Sequence, residues 1–242
     1  MKTSDKFESY PEYQKLNQLI SQLDSNTQPK IVITSQSSQP ICQPGKRLGI
    51  FSGSFNPITV AHIKMIEEAQ RKFQLDEMLL LLAKVNVDKD VFGLPLAGRL
   101  LTLNRYAEER KDVSVGISSH GRYIDKVQAL NEIYPDMTEF HFIVGYDTLT
   151  RIFDPKYYTD IQSELQHLFS QCCFIAANRE NVDIETIEQF LAQPTIRPYS
   201  RSIKLLILPD FLADVSSTQV RRLISKGQDI SHLVPTFITE FL

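Results

Sequence analysis

The 242-residue chain contains no tryptophan, so any ligand ring it stacks must be met by another aromatic side chain. It has only three cysteines, an odd number, and Cys172 and Cys173 are adjacent within an apolar run. A disulfide framework is therefore not expected, and a reducing compartment is. No Cys/His group has zinc spacing. Long apolar runs are missing too: the longest, Met78 to Ala83, has the length of a strand and falls far short of a bilayer. The first residues, Met1-Lys2-Thr3-Ser4-Asp5-Lys6, lack the apolar core of a signal peptide. The expectation is a protein of the cytoplasm, with the nucleus also open and no membrane partner. Positive charge is not in excess either. A formal net charge of −3 argues against a nucleic-acid partner. It leaves room for a small anionic ligand, which a few local cations suffice to hold. No internal repeat is apparent.

What is present begins with Leu48-Gly49-Ile50-Phe51-Ser52-Gly53-Ser54-Phe55-Asn56-Pro57-Ile58-Thr59-Val60-Ala61-His62. An apolar strand ends in small residues, turns through Asn-Pro and starts a helix. Ser52, Gly53 and Ser54 let backbone amides approach an anion, and the helix aims its N-terminal dipole at the same place. His62 falls in the first helical turn, within reach of that anion. The same residue types also serve an ordinary strand-to-helix turn, and spacing alone does not separate the two readings.

Residues 1–46 read as an extension. A helical stripe (Tyr13, Leu16, Leu19, Ile20, Leu23) starts near Pro11, and a Ser/Gln/Pro-rich stretch follows, interrupted by Ile31-Val32-Ile33. The second part is expected to be loosely held, with one edge strand. From Arg47 to Leu242, apolar runs alternate with helical patterns. Strands are expected at 47–51, 77–83, 113–117, 139–144, 172–177 and 203–208. Helices are expected at 60–73, 96–110, 123–134, 184–191, 217–226 and 235–241, with helical segments between 147 and 169. The expected fold is α/β: a Rossmann-like, doubly wound parallel sheet of about six strands, whose ligands bind beyond the strands' carboxyl ends.

A second chemical stretch is Val215-Ser216-Ser217-Thr218-Gln219-Val220-Arg221-Arg222. Ser216 or Ser217 suits an N-cap, and the hydroxyls and amides also suit phosphate. Arg221, one turn in, can fork onto phosphate oxygens.

Gly53 to His62 resembles the G-x-F-x-P-x-(H/T)-x-x-H signature of the nucleotidylyltransferase superfamily. Residues 215–221 resemble its (I)-S-S-T-x-x-R motif, with Val215 in place of isoleucine. Gly227 and Leu233-Val234-Pro235 follow the family's closing pattern. Gly145-Tyr146-Asp147-Thr148-Leu149 resembles its G-x-D-x-L, and Phe174 to Arg179 ends where the family places a V-x-x-R. Within the superfamily, the chain is most similar to nicotinamide or nicotinate mononucleotide adenylyltransferases. The resemblance spans roughly residues 47–242.

It implies adenylyl transfer from ATP, with Mg²⁺ carried by the nucleotide, to a pyridine mononucleotide. His62 and Arg221 are implied as catalytic, with an adjacent triphosphate favouring the imidazolium. ATP is implied to rest on Ser52, Gly53, Ser54, Phe55 and Thr59, and on Ser216, Ser217 and Thr218. Gly145, Asp147 and Arg179 complete that set. The acceptor is implied to meet Lys89, Arg99, Arg122, Tyr123 and Lys126. His120, His141, His167 and His232 have no motif around them and are expected to be structural or surface residues.

The chain departs from the family in two ways. Thr59 stands where many relatives carry a second histidine, and the tryptophan on which relatives stack the pyridine is absent. Tyr123 is a possible substitute, and Arg122 or Lys126 could meet an anionic group. A cytidylyltransferase-like activity on another acceptor, or a nucleotide-binding regulatory protein using residues 1–46 as its contact segment, stays open from sequence. So does the oligomeric state.

Overall fold

The computed structural model describes residues 7–85, 93–178, 182–209, 212 and 215–242. Lys89 and Arg179 lie outside the described residues. In chain order the elements begin with α1 (Pro11–Gln22), β1 (Ile31–Ser35), β2 (Arg47–Ser52), α2 (Val60–Phe73) and β3 (Glu77–Ala83). Next come α3 (Leu96–Glu108), β4 (Val113–Ser118), α4 (Tyr123–Asn131), β5 (Glu139–Gly145) and α5 (Tyr146–Ile152). The chain continues through α6 (Ile161–Gln171), β6 (Cys172–Ala177), α7 (Ile184–Ala192), β7 (Ile203–Leu206) and α8 (Ser217–Ser225). It closes in a 3-10 turn, Thr236–Phe241.

The strands form one sheet ordered β1-β4-β3-β2-β5-β6-β7. Every pairing is parallel except that of β1 with β4. Alternate residues of each strand face opposite sides of the sheet. In β3, Met78, Leu80 and Leu82 enter the core beneath α2 and α3, while Leu79 and Leu81 enter the core beneath α4 to α7. Burial on both faces explains its unbroken apolar run. The strand order reverses at β2, which pairs with β3 on one side and β5 on the other. Ser52 and Gly145 end these two strands, so the crevice at their carboxyl ends is the switch point where doubly wound folds bind ligands.

The sheet has seven strands where six were expected in the repeating part. The seventh is the N-terminal edge strand, and its neighbours correct the expectation of a loosely held segment. Ile31 pairs with Ser118 in antiparallel register. Phe7 is fully buried, stacked on Tyr13 and Phe241. A Cβ at Gly98 would lie 2.9 Å from its ring, so α3 can approach this closely only with glycine there. The polar stretch is held by polar partners: Ser37 N donates to Ser114 Oγ at 2.9 Å, and Lys30 N to Ser119 Oγ at 2.9 Å. Its Ser/Gln composition reads as solvated, but sheet residues take its amides.

Glu77 anchors the same segment. Its buried carboxylate accepts from Ile41 N at 2.7 Å, Ser114 Oγ at 2.6 Å and Tyr134 Oη at 3.2 Å. Burial, reinforced by this carboxylate, pushes the Tyr134 hydroxyl far above its ordinary pKa. Glu77→Ala strands three buried donors. Urea unfolding is expected to show a loss of roughly 3 kcal/mol or more. A loss under about 1 kcal/mol would mean that water replaces the carboxylate at little cost.

Candidate active site

The first motif leaves β2 at Ser52. Gly53 N donates to Leu81 O at 3.2 Å, so this amide is spent on β3 and is not available to an anion, contrary to the expectation for Gly53. Phe55 takes φ 41° and is fully buried, edge-on to Phe51 and His62 at 5.2 and 5.5 Å between ring centres. Its ring therefore supports His62 instead of meeting ATP. The Asn56–Pro57 peptide is cis.

Thr59 caps α2 and forms a capping box with His62. Thr59 N donates to His62 Nδ1 at 3.1 Å, and the Thr59 hydroxyl lies 2.6 Å from the same nitrogen. An amide can only donate, so Nδ1 presents its lone pair and the ring proton sits on Nε2. Thr59 is fully buried with amide and hydroxyl both turned to His62. It orients the histidine and does not reach a phosphate.

The second motif joins the first directly. Ser217 Oγ donates to Pro57 O at 2.8 Å, and Arg221 Nη1 donates to Asn56 O at 2.7 Å. Arg221 Nη2 also reaches Thr218 Oγ1 at 3.2 Å. Of the two candidate N-caps it is Ser216 that serves, accepting from Gln219 N. Its hydroxyl is thereby committed to the helix, while the first amides of α8 point out of its start.

Arg99 was expected at the acceptor but lies within the electrostatic reach of Arg221. It is 4% exposed, and its Nε donates to Leu94 O at 2.7 Å. Burial and then the Arg221 charge bring its pKa down to about 10; burial also lowers Arg221. Neither guanidinium is ion-paired with a carboxylate among the described residues. Two partly desolvated cations that feel each other's charge suit a multiply charged anion. Sequence could show both arginines but not that residues 122 positions apart adjoin. Gly93 was missed altogether. It has φ +126°, and a Cβ would fall 2.4 Å from Asn56 Oδ1 and 2.9 Å from Arg221 Cδ. Asn56 Oδ1 accepts from Leu94 N at 2.8 Å, so Gly93 and Leu94 are tied to the first motif at a spacing that only a glycine permits.

On the other side of the Ser52–Ser54 loop opens a cavity of about 410 Å³, a size suited to a small ligand. Tyr123, Lys126, Tyr158 and the exposed Asp147 are among its walls. Gly145 ends β5 beside it and caps α5. Arg122 is committed to Glu164, whose carboxyl it holds below the ordinary range, so it is not the open cation expected. Tyr123 stands edge-on to Phe142 and Phe174 at 5.0 and 5.3 Å. Lys126 Nζ lies 4.7 Å from the Tyr123 ring centre, over one face. Tyr123 thus supports Lys126 before it supports any ligand. Among the described residues no three His, Cys, Asp or Glu side chains converge as a metal cage, and no helix is long and apolar enough to cross a membrane.

A doubly wound sheet with hydroxyls, helix amides and paired guanidiniums at its switch point defines a nucleotide-binding α/β protein. The chain belongs to the cytidylyltransferase-like family, whose profile matches residues 50–223. A relative in Schizosaccharomyces pombe, named a putative nicotinamide mononucleotide adenylyltransferase, is 32% identical over 76% of this chain and 78% of its own. A probable nicotinate-nucleotide adenylyltransferase of Geobacter sulfurreducens is 27% identical over 81% and 95%. Among solved structures, the nicotinic acid mononucleotide adenylyltransferase of Plasmodium falciparum complexed with NaAD shares the fold. Its TM-score is 0.59 at 18% identity, over 81% of this chain and 96% of that one.

Proposed function

We propose that the protein transfers the adenylyl group of ATP to a pyridine mononucleotide, forming the dinucleotide and pyrophosphate. The observation that carries this is the direct bonding of the two phosphate motifs, Arg221 to Asn56 and Ser217 to Pro57, beside a ring-sized cavity. The names of the relatives support adenylyl over cytidylyl transfer.

In this reading a phosphate oxygen of the mononucleotide attacks the α-phosphorus of ATP in line. The bond from that phosphorus to the bridging oxygen breaks, and pyrophosphate leaves with the electron pair. Such chemistry needs alignment and charge stabilisation and no covalent participation by the protein. His62 donates its Nε2 proton in a hydrogen bond to the phosphate oxygens that gain charge. Arg221, Arg99 and the first amides of α8 hold the β- and γ-phosphates. The loop Ser52–Ser54 lies between triphosphate and cavity, and Asp147 faces the ribose. Mg²⁺ is proposed to arrive on the triphosphate, whose charge it partly neutralises. The surrounding donor set of amides, hydroxyls and guanidiniums suits phosphate and not a metal.

The purified protein incubated with ATP, Mg²⁺ and each pyridine mononucleotide is expected to release dinucleotide and pyrophosphate in equal amounts. CTP in place of ATP should give at most a small fraction of the rate. Absence of product with every pyridine mononucleotide would overturn the acceptor assignment, and preference for CTP would overturn the donor.

A further inference from the structure

The N-terminal segment reaches the phosphate site through one glycine. Phe7 is fully buried, its ring stacked at 5.5 Å on Tyr13 and at 5.7 Å on Phe241. The far edge of that ring faces Gly98, where a Cβ would lie 2.9 to 3.1 Å from Cζ and both Cε atoms. Gly98 sits in the first turn of α3, and glycine weakens a helix relative to alanine. The close approach of the ring is the physical reason for it. Tyr13, Leu16 and Leu23 share the core with Ala97, Leu100 and Leu101, so the ring has nowhere to swing. Arg99 follows Gly98 directly. Its amide donates to Pro95 O at 3.0 Å and its Nε to Leu94 O at 2.7 Å, while Leu94 N donates to Asn56 Oδ1. A shift of this turn therefore carries the Arg99 guanidinium with it. The segment also holds the chain where it leaves β3: Lys84 Nζ donates to Leu23 O at the C-terminus of α1, where the helix dipole favours a cation.

We propose that Phe7 is a positioning residue for the triphosphate: wedged between α1 and Gly98, it fixes the first turn of α3 so that Arg99 stands where it can grip the phosphates together with Arg221. The inference rests on the reading above, which puts the triphosphate at these two arginines. Fully buried, Phe7 can touch neither ligand, so it acts through Arg99. The acceptor cavity lies on the other side of the Ser52–Ser54 loop and should not feel the change. A displacement of about 1 Å at a positioned group can cost on the order of 10²-fold, so a shorter side chain at residue 7 should cost about tenfold.

The test is steady-state kinetics of the wild type, Phe7→Leu, Arg99→Met and the double variant, at a temperature where circular dichroism shows all four folded. Phe7→Leu should raise KM for ATP about tenfold and leave KM for the pyridine mononucleotide within about twofold. In the Arg99→Met background the same change should raise KM for ATP by less than about twofold, because the group it positions is already gone. Phe7→Met, long enough to reach Gly98, should restore most of the ATP affinity. Lys84→Met loosens the end of α1 without opening a core cavity and should raise the same KM several-fold; it decides the matter if Phe7→Leu does not fold. An unchanged KM for ATP, an equal rise for both substrates, or full additivity with Arg99→Met overturns the proposal and leaves Phe7 a core residue. If the wild type binds ATP but forms no dinucleotide, adenylyl transfer fails, and calorimetric Kd values for ATP in the same variants decide the role of Phe7. A wild type that does not bind ATP overturns both.

Discussion

Replacing His62 by alanine is expected to lower turnover by on the order of 10²-fold, the usual cost of losing one aligned donor to a developing charge. The wild-type geometry makes the expectation more specific. His62 has two tasks: Nδ1 accepts the Thr59 amide, which closes the capping box, and Nε2 carries the ring proton. Glutamine and glutamate also close capping boxes after a threonine. His62→Gln should therefore keep α2 capped and retain a neutral donor, leaving it several-fold more active than His62→Ala. His62→Glu should be as stable as the Gln variant yet no more active than Ala, because it brings a carboxylate towards a triphosphate. Steady-state rates and urea unfolding on the three proteins separate the tasks. Turnover of the alanine variant within about threefold of wild type would remove His62 from the mechanism. Equal rates for Gln and Ala would mean that an uncharged donor is not what the site uses.

Arg99→Met should separate affinity from stability in the opposite way. The guanidinium is 4% exposed, faces a like charge, and keeps one bond among the described residues, to Leu94 O. Removing a buried, unpaired charge gains about what losing that bond costs, so the free protein should change by less than about 1 kcal/mol. Truncating one member of a desolvated ion pair costs about 2–5 kcal/mol in a complex. The kcat/KM for ATP should thus fall about 10²-fold or more, and ATP should raise the melting temperature less than in wild type. A variant that is strongly destabilised when free, yet raised by ATP as much as wild type, would make Arg99 a structural residue.

Both predictions depend on neighbours that differ in how plainly the sequence declares them. The helix Val60–Phe73 is legible to the residue, since Thr59 is a strong N-cap and the apolar positions recur at helical spacing. The strands Glu77–Ala83 and Cys172–Ala177 are equally plain, their continuous apolar runs fitting only burial on both faces. Segments whose ends depend on packing are less so: α4 stops at Asn131, three residues short of the expected end, and the closing helix is a 3-10 turn. The edge strand was visible in Ile31-Val32-Ile33, but its tight attachment was not. The residues that hold it, Ser114, Ser119 and Glu77, lie some 36 to 89 positions further on.

The phosphate motifs show the same division. Residue type and spacing singled out His62, Ser216 to Thr218 and Arg221, because anion binding at a helix start requires local chemistry that a short stretch can spell out. Spacing could not tell that Thr59 and Phe55 serve His62 and not the ligand, that Gly53 gives its amide to Leu81, or that Glu164 claims Arg122. Those are choices among competing partners, and the nearest partner in space wins. The sequence by itself determined the alternation of strands and helices, the doubly wound class and the two motifs whose residue types suit phosphate. Only the tertiary structure decided that the motifs bond to each other, that Arg99 joins Arg221, and that Lys126 is a desolvated cation in a cavity wall. Burial and counter-charge, which set what those side chains can do, come from contacts between distant parts of the chain.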